Sequence, residues 1–160
     1  MAAPDSDNNP LQEEARLTAM MQRWADGKAT LRDVRGYTDE ELYAIAKTAY
    51  FFYYQGRLAE ARTLFQGLYA VNPADAYFAK ALGVVEMAAG NPQGALAAYD
   101  VALKLDARDA QAYVGRAEVR LSLGQKAPAM EDLRRAAQLV QVGDPLFAKA
   151  SAMLEALGRR

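Results

Sequence analysis

LYAIAKTAYFFYYQGRLAEARTLFQGLYAVNPAD, residues 42–75, decides the fold, because its punctuation recurs twice more at a shift of thirty-four residues. Gly56, Gly90 and Gly124 fall in register, as do the small residues Ala61, Ala95 and Ala129 and the large residues Phe65, Tyr99 and Leu133. Upstream of each glycine stands another small residue: Ala49, Gly83 and Ala117. Apolar residues recur at helical spacing on both sides of each glycine, so each unit reads as two helices joined by a tight turn. A small residue on each helix lets the two backbones approach, and the large one fills the space beside them.

This period with these slots is the signature of the tetratricopeptide repeat, whose units cannot bury their apolar faces alone and therefore stack. The expected fold is all-α: three repeats, about 42–75, 76–109 and 110–143, in a right-handed solenoid with an N-terminal amphipathic helix and a C-terminal capping helix. Residues 38–157 would hold the repeats and the cap, 9–37 an N-terminal helical segment, and 1–8 a disordered tail. Local signals agree. Asn9 and Pro10 open a helix carrying Leu17, Met20, Met21 and Trp24 until Gly27. Thr30 to Arg35 reads as a single helical turn. Thr38 and Glu41 form a capping box ahead of the first repeat. Asn72-Pro73 ends that repeat, Asn91-Pro92 restarts the second, and Gly143, Asp144 and Pro145 open the last helix.

Composition narrows the function. Nineteen basic against twenty acidic residues leave a net charge of −1, though residues 1–41 carry −4 and the rest +3. No global field favours nucleic acid or an anionic membrane. The chain has no cysteine and no histidine, which removes disulfides, thiolate sites, the usual general base and imidazole metal ligands. Glycine-rich phosphate loops and paired metal-ligand motifs are absent as well, so neither catalysis nor a cofactor is expected. The start lacks the pattern of a secretory signal, and no run of about eighteen apolar residues follows, so stable membrane insertion is not expected and the cytoplasm is the default.

In such a solenoid the first helix of each repeat lines the concave face. The inner positions are Tyr43, Ala46, Tyr50, Tyr53 and Tyr54; then Tyr77, Lys80, Val84, Met87 and Ala88; then Gln111, Val114, Glu118, Leu121 and Ser122. Five tyrosines gather toward one end. Core slots are separately filled by Ile45, Ala49, Phe52, Phe65, Leu68, Leu82 and Tyr99, which leaves part of the tyrosine stripe surplus to packing and points to a peptide groove. Lys80 is the only basic residue there, too few for a C-terminal carboxylate or a phosphate backbone. The helix at 9–27 either packs on the first repeat or forms a dimer contact through Leu17, Met20, Met21 and Trp24. Arg116 and Arg120 occupy positions where the repeat wants apolar residues; their stems would cover apolar surface while the guanidinium groups reach water, Glu118 or Asp132.

A more specific likeness runs from residue 30 to 157. Thr30, Leu31, Val34 and Tyr37 ahead of the repeats, Ala49-Tyr50 with Tyr53 and Gly56, Leu82-Gly83 through Gly90, and Ala117-Glu118 with Leu121 resemble the motifs of class II chaperones of type III secretion, the LcrH/SycD group. The chain differs from that family at Gly115 and Arg116, one of which replaces a histidine, at Val85 and Val119, which replace cysteines, and at Ala46, near which a tyrosine is expected. The resemblance implies a chaperone that holds hydrophobic translocator proteins before export. An extended apolar segment, often flanked by prolines, would lie in the groove over Tyr50, Tyr53, Tyr77, Val84 and Met87. It also implies self-association. A scaffold or adaptor joining soluble proteins is the other reading, and a regulatory enzyme subunit a remote third.

Overall fold

The computed structural model describes residues 10–26 and 28–159. The expected tail at 1–8, Asn9, Gly27 and the side chains of Leu17, Met21, Trp24 and Val34 lie outside the described residues. Within them the chain is nine α-helices without a strand: α1 (Pro10–Ala25), α2 (Leu31–Arg35), α3 (Asp39–Tyr54), α4 (Leu58–Val71), α5 (Ala76–Ala88), α6 (Pro92–Leu105), α7 (Ala110–Ser122), α8 (Lys126–Leu139) and α9 (Pro145–Gly158).

The helix starts follow from their caps. Thr38 accepts from the Glu41 amide while Glu41 accepts from the Thr38 amide at 2.9 Å, so two otherwise orphaned donors at the head of α3 are satisfied reciprocally. Thr30 and Asp33 do the same for α2. Side chains of Asp75, Asn91, Asp109 and Asp144 accept from first-turn amides of α5, α6, α7 and α9. The in-register glycines close the hairpins: Gly56, Gly90 and Gly124 have φ of 75°, 77° and 74°, a left-handed conformation that strains any residue with a Cβ.

Helices α3 and α4, α5 and α6, and α7 and α8 pair as antiparallel hairpins, each second helix packs on the next first helix, and α9 covers α8 and part of α7. The small and large slots sit where their types require. Ala49, Ala61, Ala95, Ala117 and Ala129 are fully buried beside Phe65, Tyr99 and Leu133. Three positions depart from the expected core. Ile45 is 38% exposed, because α3 is the first helix of the solenoid and no preceding repeat covers its outer flank. Phe52 and Leu82 are half-buried rather than interior.

Polar latches cross the packed layers. Glu86, buried on α5, accepts from Arg62 of α4 at 2.7 Å and from Asn91 at the head of α6 at 2.8 Å. In the next repeat, Arg116 of α7 forks onto Asp132 of α8 at 2.9 and 2.7 Å and reaches Asp100 of α6 at 2.7 Å, while Arg120 donates to Asp132 at 2.8 Å. The two arginines therefore reach Asp132 as expected, but not Glu118, which pairs with Lys149 of α9. No described helix is long and apolar enough to cross a membrane.

Candidate functional site: the concave groove

Helix α3 presents residues 43, 50, 54 and 53 within two adjoining stripes, and α5 sets Tyr77 against them. Tyr43 and Tyr77 meet edge-on with ring centres 5.3 Å apart, Tyr77 lies 6.3 Å from Tyr50, and Tyr50 lies 6.5 Å from Tyr53 and 6.4 Å from Tyr54. The five tyrosines expected at one end of the groove are thus one aromatic cluster. Such edge-to-face arrangements leave ring faces and hydroxyls at the surface while the ring bodies hold one another in place.

Their degrees of burial divide them. Tyr50 stands edge-on to the core Phe65 at 4.9 Å, and Tyr50, Tyr53 and Tyr77 all pack against the first-repeat core. These three are consequently not surplus to packing: the core of the first repeat takes in rings from the concave face of α3 and from α5. Tyr54 is different, 81% exposed, with its ring against those of Tyr50 and Tyr53. Burial pushes the hydroxyls of Tyr50 and Tyr77 above the usual tyrosine range. Tyr43 is pushed up to about 12 by burial and by its 2.8 Å hydrogen bond to Asp75. These three stay neutral at physiological pH, and the cluster presents an amphipathic surface.

Two hollows open along the groove and share Tyr50. The first, ≈ 580 Å³, is walled by Lys47, Tyr50, Phe51, Tyr54 and Tyr77. Phe51, 58% exposed, is among neither the inner positions nor the core slots read from the sequence. The second hollow, ≈ 270 Å³, lies over the second and third repeats and includes Tyr50, Lys80, Val84, Tyr99, Gln111, Val114, Gly115, Glu118, Leu146 and Lys149. Lys80 there donates to Asp109 at 2.6 Å, and Lys149 to Glu118 at 2.6 Å.

The remaining expected groove residues sort plainly. Lys80, Val84 and Glu118 line the second hollow. Met87 packs half-buried on the core of the second repeat and Leu121 on that of the third, and neither lines a hollow. Ala46 and Val114 are buried rather than inward-facing, Ala46 fully so and Val114 with only an edge on the second hollow. Leu146 and Lys149 come from the capping helix, whose contact with α7 no repeat periodicity announces. Of the expected dimer residues, Met20 is half-buried on α1, whose main packing partner is α2; α2 in turn touches α4. Among the described residues no cluster of potential ligands could hold a metal ion.

A tetratricopeptide repeat family model matches residues 47–110 and again 81–144. A comparison with curated protein sequences finds no match. Among solved structures, the chain is similar to the translocator chaperone SycD of Yersinia enterocolitica, at 26% identity and a TM-score of 0.73 over 80% of this chain and 98% of that one. It is similar to PcrH of Pseudomonas aeruginosa, solved with the chaperone-binding region of PopD, at 27% identity and a TM-score of 0.73 over 78% and 96%. A type III secretion complex of Aeromonas hydrophila matches at 25% identity and a TM-score of 0.79 over 89% and 96%. SycD has also been solved as an alternative dimer.

Proposed function

We propose that this chain, which belongs to the tetratricopeptide repeat family, is a type III secretion chaperone that binds an extended apolar segment of hydrophobic translocator proteins in its concave groove and keeps them soluble in the cytoplasm before export. The observation that carries this reading is the likeness to PcrH, which holds the chaperone-binding region of PopD and shares this fold over nearly its whole length. The groove supports it independently. Its first hollow is aromatic, uncharged apart from Lys47, and open to solvent, which suits apolar anchors of a client in extended conformation. Tyr50 and Tyr77 form its floor, Tyr53 buttresses Tyr50, and Tyr54 and Phe51 form its rim. Binding, not catalysis, is the work that these residues can do.

The test is co-expression with a translocator protein that is insoluble when made alone. The expected result is a soluble complex that co-purifies in stoichiometric amounts. A translocator that stays insoluble beside an abundant, folded chain sinks the proposal, and capture only of partners already soluble by themselves favours the adaptor reading.

Self-association through α1 belongs to the same proposal. The helix carries Leu17, Met20, Met21 and Trp24 on one stripe in sequence, and it packs on α2 rather than within a repeat hairpin. Deleting residues 1–28 is expected to shift the mass measured by light scattering toward monomer while the helical signal of the repeats persists. An unchanged mass removes the dimer role, and a collapse of the helical signal assigns α1 to supporting the first repeat instead.

A further inference from the structure

We propose that the second hollow binds a primary carboxamide, an Asn or Gln side chain of the client segment, and thereby selects among clients that the aromatic end alone would accept. This deepens the groove reading and rests on it.

Tyr99 is the key to the site. It is only 5% exposed, yet no described residue hydrogen-bonds its hydroxyl, which opens on the hollow. The ring enters between two glycines. A Cβ on Gly83 would lie 2.9 Å from the ring, and one on Gly115 would lie 2.4 Å from the hydroxyl itself. Any other residue at 115 would fill the space into which that hydroxyl opens. The hydroxyl keeps a small accessible surface on the hollow, where water meets it in the free chain, so a client group that displaces that water must replace its hydrogen bond.

The charges around it choose the partner. Lys80 is committed to Asp109 and Gln111, and Lys149 to Glu118, so the walls are balanced. A client carboxylate would meet Glu118 on the wall, with Asp109 beyond Lys80, and the negative field of both, after burial, already helps to hold the Tyr99 hydroxyl protonated. An ammonium would face the two lysines, and an apolar side chain would leave the hydroxyl unmet. A carboxamide has both an acceptor and a pair of donors. Its oxygen can accept a hydrogen bond from the Tyr99 hydroxyl while its amide donates to Glu118, and Val84, Val114 and Leu146 offer apolar wall to its stem. Tyr50 borders both hollows, so one extended segment can place an apolar anchor in the first and the carboxamide in the second.

The experiment titrates the full chain with the chaperone-binding region of PopD and with a peptide of YopD, each position replaced in turn by Gln, Glu and Leu. At one position Gln is expected to bind about fivefold more tightly than Leu, the worth of one net hydrogen bond, and more tightly still than Glu. Tyr99→Phe keeps the ring between its glycines and is expected to erase that preference, as is Glu118→Ala, whereas Tyr54→Ala should weaken every peptide alike and leave the preference intact. Absence of any position that prefers Gln, or a preference that survives both Tyr99→Phe and Glu118→Ala, overturns the carboxamide site while leaving the groove reading standing. If the wild-type chain captures neither PopD nor YopD segments in any form, the groove reading falls and this one with it.

Discussion

Asp132→Ala is expected to destabilise the chain by about 3 kcal/mol or more, the largest single effect that the structure predicts. The carboxylate is 3% exposed and accepts three charge-assisted hydrogen bonds, two from Arg116 and one from Arg120. Removing it leaves two guanidinium groups facing each other in the α7–α8 layer, with Arg116 keeping Asp100 and the face of Tyr113 and Arg120 keeping the Pro128 carbonyl. Most of the loss is the cost of stranding those cations, not the net worth of the network. The repeat pattern supplies a control. Residues one period earlier are Leu82 for Arg116 and Ala98 for Asp132; Arg120 has Glu86 one period earlier but Phe52 two periods earlier, so an apolar occupant fits the same architecture at each of the three places. Arg116→Leu, Arg120→Leu and Asp132→Ala combined should recover most of the stability that Asp132→Ala alone loses. Denaturant unfolding checks both variants. A single variant within about 1 kcal/mol of wild type would mean that the arginines find water instead, and a triple variant as weak as the single would mean that the network itself, and not its stranded remnant, holds the layer.

How far sequence reaches is clear from these same residues. The thirty-four-residue register places Gly56, Gly90 and Gly124 at left-handed turns and Ala61, Ala95 and Ala129 in the core, because close backbone approach and positive φ admit few residue types. Caps such as Thr38 with Glu41 are local and equally readable. What periodicity misses is the end of the array. Ile45 belongs by spacing to a covered face, but α3 has no repeat before it, so Ile45 is half-open, while Phe51, which the register assigns to neither the core nor the inner positions, becomes rim. Tyr50, Tyr53 and Tyr77 fail in the opposite sense: counted as free for binding, they also complete the first-repeat core. The second hollow was legible only in part: Tyr50, Lys80, Val84, Gln111, Val114 and Glu118 hold inner positions in the register, whereas Tyr99, Gly115, Leu146 and Lys149 do not. Its polar lining joins α5, α6, α7 and α9, and neither the Lys149–Glu118 pair nor the opening of Tyr99 toward Gly115 follows from any spacing.

Tyr54→Ala is expected to lower affinity for a translocator segment by about 1 to 3 kcal/mol, roughly fivefold to 150-fold, with almost no change in stability. The two effects separate because of where the ring stands. At 81% exposed it contributes little to the core, and a surface truncation of this kind usually moves stability by no more than about 0.5 kcal/mol. In the complex it would close over an apolar anchor seated on Tyr50 and Tyr77, and aromatic rims of this type exclude water from the anchor beneath. Tyr50→Ala and Tyr77→Ala should lose affinity as well, but each also removes a ring packed on the first-repeat core, so their melting temperatures should fall in parallel. The first hollow carries only the charge of Lys47, and the tyrosines are neutral, so affinity should change little between low and moderate salt. Calorimetric titration of the segment against wild type and the three variants, with thermal melts alongside, resolves the outcome. Should Tyr54→Ala melt and bind as wild type does, the rim plays no part in capture; should all three variants bind normally while remaining folded, the client lies on another face of the solenoid.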